Sequence, residues 1–158
     1  MKTPTQYPIT VNHKLSLAEM FAQAGYTDGL HIAEAFPTKG TGVKELVAEL
    51  IQFGRKITSQ EVVAEMDNHG LRPATIEELF AFCGQHRRHD LHEGVYDFSI
   101  LAIGTEADVF GNGRMNVAWH HEYVNDPKPG CGVDLKSVWV ATQSGGFQSH
   151  NYFLAIHK

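Results

Sequence analysis

Ten histidines and a handful of carboxylates are the side chains whose types and spacing could do chemistry in this chain. The stretch Gln85-His86-Arg87-Arg88-His89-Asp90-Leu91-His92-Glu93 sets three imidazoles at i, i+3 and i+6 beside two carboxylates. Imidazole and carboxylate are ligands of zinc and related ions. On a helix the three rings would fan over roughly 120°, which is wide for one ion. The spacing also differs from the His-Glu-x-x-His pattern of a zinc helix. The expectation here is a polar, solvated helix end, where His and Arg suit the negative pole of the helix.

A second group is His120-His121-Glu122. Strand alternation puts His120 and Glu122 on one face and His121 on the other, between Trp119 and Tyr123. His120 and Glu122 could hold a metal or act as base and orienter, but the plainer expectation is a solvated pair. The candidate binding residues are therefore Arg72, Trp119, His120, Glu122 and His150, with no metal or other cofactor. The alternative is a zinc site drawn from His89, His120 and Glu122, with His150 as a further donor. Cys131 sits in a loop with Lys128 as its local cation, whereas Cys83 falls on an apolar helix face and reads as a buried thiol. Lys39-Gly40-Thr41-Gly42 lacks the glycine spacing of a phosphate loop.

Three capping boxes announce the helices that must carry these groups: Ser16 with Glu19, Thr58 with Glu61, and Thr75 with Glu78. In each the hydroxyl accepts from the third helical N–H and the Glu reaches back to the cap. Gly25, Gly70 and Gly84 stand where the helices should stop. The first helix carries a stripe of Leu17, Met20, Phe21 and Ala24. The second, over 59–69, should turn Val62, Val63 and Met66 inward. The third, over 76–83, should turn Ile76, Leu79, Phe80 and Cys83 inward and leave Glu77 and Glu78 toward solvent. Pro73 bars Arg72 from helical geometry, so the last two helices should meet in a tight helix-turn-helix-like corner. Glu77 and Glu78 at the front of its second helix argue against a DNA reader.

Strands are expected at 7–11, at 96–103 closed by Gly104, and at 115–124, 138–141 and 152–157. Phe110-Gly111-Asn112-Gly113 reads as a hairpin turn. Residues 43–53 fit a strand or a helix, with strand preferred because Gly40 and Gly42 precede them and no cap does. Leu79, Phe80, Leu101, Ile103, Trp119, Val140 and Leu154 are expected to share one core.

At 158 residues the chain suits a single domain, 1–158, with 1–6 as a loose tail. A formal charge of −5 argues against a general nucleic-acid binder. The start lacks a secretory pattern, no apolar run is long enough to span a bilayer, and two cysteines do not make a disulfide scaffold. A cytoplasmic protein with no membrane partner is expected.

The run Leu71-Arg72-Pro73-Ala74-Thr75-Ile76-Glu77-Glu78-Leu79-Phe80-Ala81-Phe82 resembles the hallmark of an uncharacterised family of small bacterial proteins, in which a strand similar to Leu101-Ala102-Ile103-Gly104 follows. The likeness spans roughly 8–105, includes Ile51-Gln52-Phe53-Gly54-Arg55 and breaks at the histidine-rich 85–94. It implies a fold and no activity. The layout of that helix, glycine-rich hairpins and the closing strand Tyr152-Phe153-Leu154-Ala155-Ile156 is also similar to C-type-lectin-like and formylglycine-generating-enzyme-like domains. The disulfide cysteines and the Trp-Asn-Asp calcium signature of those domains are missing here, so no ligand residue carries over.

The expected fold is thus α+β: three short capped helices in the N-terminal half and a mostly antiparallel sheet in the C-terminal half. The expected function is a non-catalytic binding or accessory protein of a bacterium or mobile element. It would contact a protein or small ligand through loops at 105–114, 125–136 and 143–150. A metal-dependent hydrolase is the alternative.

Overall fold

A computed structural model describes residues 5–86, 99–109, 116–122, 136–142 and 145–158. Its elements are β1 (Gln6–Asn12), α1 (Leu17–Gln23), β2 (Tyr26–Asp28), α2 (Leu30–Ala33), β3 (Val43–Ile51), α3 (Ser59–Asn68), β4 (Leu71–Pro73), α4 (Ile76–Gln85), β5 (Ser99–Ala107), β6 (Asn116–Glu122), β7 (Lys136–Thr142) and β8 (Tyr152–His157). The chain is α+β. The strands form one mixed sheet in the order β1-β3-β8-β5-β6-β7-β2, with β4 also on β8. The β5–β8 and β2–β7 pairs are parallel and the others antiparallel. The sheet thus draws on both halves of the chain, with β1 at one edge and β3 between it and β8. Among the described residues no helix is long and apolar enough to cross a membrane.

β8 explains the layering. Alternate residues of a strand face opposite sides, and here both sides are apolar. Leu154 and Ile156 enter the core beneath α1, α2 and α4, while Phe153 and Ala155 enter a second core beneath α3. β5 divides in the same way, with Ile100 and Ala102 on the first side and Leu101 and Ile103 on the second. The expected single core is therefore two. Leu79, Phe80 and Leu154, with Val140 packed against them, occupy one, and Leu101 and Ile103 occupy the other. The side chain of Trp119 lies outside the described residues.

The three capping boxes form as expected, and residues 43–51 are strand. Several local expectations give way to tertiary contacts. The corner between α3 and α4 is a strand rather than a bare turn, because Leu71, Arg72 and Pro73 pair with β8. Helix α4 runs through Gly84 to Gln85. Gly84 is kept small by α1, since a β-carbon there would sit 3.2 Å from the Cα of Ala24. Strand β5 likewise runs through Gly104 to Ala107. Its register against β6 slips between Ala102 and Glu106, and within that slip the Gly104 N–H donates to the Ala74 carbonyl at 2.8 Å. A β-carbon at Gly104 would lie 2.6 Å from that same oxygen. Val63 is 45% exposed, so α3 buries only the narrower stripe of Val62 and Met66. Gln6 belongs to β1, which shortens the expected tail. Asp28-Gly29 opens α2: Gly29 has a φ of +93°, and its N–H donates to Asp28 Oδ1 at 2.9 Å. The hairpin at 110–113 and most of the expected contact loops lie outside the described residues.

β1 is an edge strand, and α4 closes its outer edge. The Gln85 amide accepts from Thr10 N–H at 2.8 Å and donates to Thr10 C=O at 2.7 Å, as a neighbouring strand would. The His86 Nε2–H donates to the Pro8 carbonyl at 2.8 Å. Pro8 itself offers no N–H. Exposed edges invite foreign strands, and this one is blocked at both positions.

Candidate functional site

The first turn of α4 gathers the buried acids. Glu78 accepts from Thr75 N–H at 2.8 Å and takes both arms of Arg72 at 2.7 and 3.0 Å. The Glu78 side chain is 6% exposed and that of Arg72 38%. The hydrogen bonds to Glu78 raise the Arg72 guanidinium further above its ordinary value, against the pull of partial burial. The Ile76 N–H, which has no partner within the helix, is satisfied by the Thr105 hydroxyl at 2.8 Å.

Glu77, one residue earlier, points to different neighbours. Its side chain is 2% exposed and pairs with His13 Nδ1. Its other oxygen accepts from the Lys39 backbone N–H at 2.7 Å. Lys39 Nζ in turn donates to the Gly104 carbonyl at 2.8 Å, and His13 N–H donates to the Gly42 carbonyl at 2.7 Å. A side chain at Gly40 would fall on the His13 imidazole. A buried carboxylate needs partners of this kind, because an isolated one is costly to desolvate. Glu77 and Glu78 were both expected in solvent. The two are buried because Arg72, from β4, pairs with Glu78 and because His13, just past β1, and the 39–42 segment close over Glu77.

Beside Glu77 a cleft of about 140 Å³ opens between β1, α1 and α4. Val11, Leu15, Met20 and Phe80 supply apolar walls, with Ala81 and Gly84 on the α4 side. Thr10, Asn12, Gln23, Gln85 and Glu77 supply its polar groups. Sequence reasoning missed this site. His13 and Glu77 stand 64 positions apart, and neither belongs to a recognisable spacing. The one local signal was the break in polarity at Ala81 and Gly84, small residues on an otherwise bulky helix.

The residues singled out from sequence are dispersed. Arg72 is occupied by Glu78. Trp119, His120 and Glu122 lie on β6, where His120 pairs across the backbone with Ile100 and Val138, and Glu122 with Lys136. Their side chains lie outside the described residues. His150 is exposed on the approach to β8, and its carbonyl accepts from Gln52 Nε2 at 3.1 Å. His89, His92 and Cys131 lie outside the described residues. His86 caps α4 and packs its ring 5.1 Å from Tyr7 and 5.4 Å from Phe82. Among the described residues no three His, Cys, Asp or Glu side chains gather as a metal site would require. A second acid–imidazole pair, Glu49 with His157 at 2.6 Å, bridges β3 and β8. Cys83 is buried, as its helix face predicts.

No family model, curated protein or solved structure matches this chain.

Proposed function

We propose that this protein is a non-catalytic binding module and that its ligand enters the cleft between β1, α1 and α4. The observation that carries this reading is the lining of the cleft, with apolar walls on three elements and a few polar groups around them. That is the usual make-up of a small-molecule site. Its volume of about 140 Å³ is below the roughly 300–1,000 Å³ of drug-sized pockets. It suits a molecule of few atoms or one side chain of a partner.

The acids around it support binding over catalysis. Both oxygens of Glu77 and both of Glu78 are held by partners that build the fold. A general base needs a proton of its substrate within reach and freedom to take it.

The test is an amide NMR titration with a library of small fragments. Binding in the cleft should move the resonances of Thr10, Leu15, Ala24 and Gly84. Ala81→Leu, which fills the cleft from α4, should abolish those shifts while the fold is retained. Shifts confined to 125–136 and 143–150 would move the site to the C-terminal loops.

A further inference from the structure

We infer that the cleft selects a short primary ammonium on an aliphatic stem, the chemistry shared by an alkylamine and a lysine side chain. This rests on the binding reading above and adds the class of ligand.

Sign comes first. The lining includes one carboxylate, Glu77, and no Lys, Arg or His. An anion would meet repulsion there and no compensating cation.

Hydrogen-bond accounting leaves the choice to the carboxylate. The lining amides of Asn12, Gln23 and Gln85 and the hydroxyl of Thr10 can both donate and accept, so they favour neither sign of ligand. Acceptor capacity remains. Each Glu77 oxygen takes one hydrogen bond, from His13 or from Lys39 N–H, and a carboxylate oxygen has room for two. An ammonium brings three donors and no acceptor.

The Lys39 ammonium does not take this place, because its Nζ is turned to the Gly104 carbonyl. Burial adds weight, since a charge-assisted hydrogen bond strengthens away from water.

Size and wall chemistry define the rest of the ligand. A cleft of 140 Å³ holds on the order of five water-sized groups. A four-carbon stem with its nitrogen has that bulk. Leu15, Met20, Phe80 and Ala81 would line the stem, as apolar surface lines the methylenes of a buried lysine.

The experiment titrates the full chain with n-butylammonium and its isosteres n-butanol and butyrate, read by amide NMR and calorimetry. n-Butylammonium should bind at the cleft, n-butanol roughly tenfold or more weakly, and butyrate not at all. Glu77→Gln keeps an oxygen for His13 but removes the charge, and it should bring n-butylammonium down to the level of n-butanol. Ala81→Leu should abolish both.

Equal binding of n-butanol and n-butylammonium to the wild type would overturn the ammonium and leave the binding module intact. An absence of cleft shifts with every probe would overturn both. Should Glu77→Gln not fold, the wild-type isostere series and Ala81→Leu still decide. Nα-acetyl-lysine amide, with its ε-acetylated form as control, separates the sources. Binding of the first but not the second assigns the site to lysine side chains, and binding of n-butylammonium alone assigns it to free amines.

Discussion

Helices α3 and α4 begin with the same chemical phrase and end in different environments. Each follows a threonine cap, each has Glu at its third position, and each is ten residues long. Helix α3 buries Val62 and Met66, while α4 buries seven residues, two of them glutamates. The capping box of α3 stands in water. Glu61 and its neighbour Arg55 are each about half exposed and 3.5 Å apart. That of α4 is roofed by Arg72 and flanked by the Glu77–His13 pair. A local motif thus sets where a helix starts, while the surrounding chain sets how much each group in the motif matters.

The largest expected difference is in packing. Phe80 is 2% exposed and touches the rings of Phe21 and Tyr26. Phe80→Ala should cost about 3–5 kcal/mol, since a buried aromatic leaves a cavity that closes only in part. Val63→Ala on α3 should change stability by no more than about 0.5 kcal/mol, as surface substitutions do. Urea melts of the two variants check the contrast. Similar midpoints would mean that the two helices are equally buried and that the comparison fails.

The ion pairs should differ next. Removing Arg72 leaves a buried carboxylate short of two hydrogen bonds. Arg72→Ala should cost about 1–3 kcal/mol, reduced from a fully buried pair because the guanidinium is more than a third exposed. Arg55→Ala breaks a long, solvated contact and should cost about 0–1 kcal/mol. A double-mutant cycle with Glu78→Ala isolates the Arg72 coupling, and a coupling near zero would make Arg72 available to a ligand after all.

These contrasts show what was legible in the sequence. Caps, most strands and the inward stripe of α4 could be read because their partners lie within four residues. The fate of Glu77 and Glu78 could not. Charge at a helix start reads as solvent-facing unless the partner is known, and His13 comes from the end of β1. Val63 misleads for a related reason: its spacing fits an apolar stripe, but α3 meets the sheet along a narrower seam. The second core was partly legible. Runs such as Ile100-Leu101-Ala102-Ile103 and Phe153-Leu154-Ala155-Ile156 are apolar at every position, which is the mark of a strand covered on both faces. β2, α2 and β4 are too short for any period to register. The histidine-rich run, the most chemical stretch by composition, contributes Gln85 and His86 to the described contacts, and both plug the β1 edge. The cleft arises where three elements of unremarkable sequence meet.

The caps come third. Thr75→Ala and Thr58→Ala each remove the acceptor of one helical N–H, at 3.3 Å in both cases, and each should cost about 0.5–2 kcal/mol. Thr75→Ala should fall nearer the top of that range. Its N–H loses a partner in a part-buried turn, while the N–H freed by Thr58→Ala turns to water. Paired denaturant melts test the order, and a larger loss at Thr58 would reverse it.

The smallest effect is electrostatic and belongs to α3. The Thr58 backbone N–H, and then its hydroxyl, hold the Glu61 carboxyl below its ordinary value of 4.5, with Arg55 helping and residual burial opposing. A carboxyl whose folded value is depressed binds its proton more weakly in the folded state than in the unfolded chain. Its contribution to stability is therefore present above pH 4.5 and lost as the pH falls through the lower folded value. Glu61→Gln keeps a side-chain oxygen for the capping box and removes only the charge. The urea midpoint of the wild type should exceed that of Glu61→Gln at neutral pH. The gap should narrow as the solution is acidified past 4.5 and close below the folded value. A gap that persists unchanged in acid would show that the amide disturbs the cap by its shape. The exposed box of α3 would then owe its strength to geometry alone, as the buried box of α4 cannot while Arg72 stands over it.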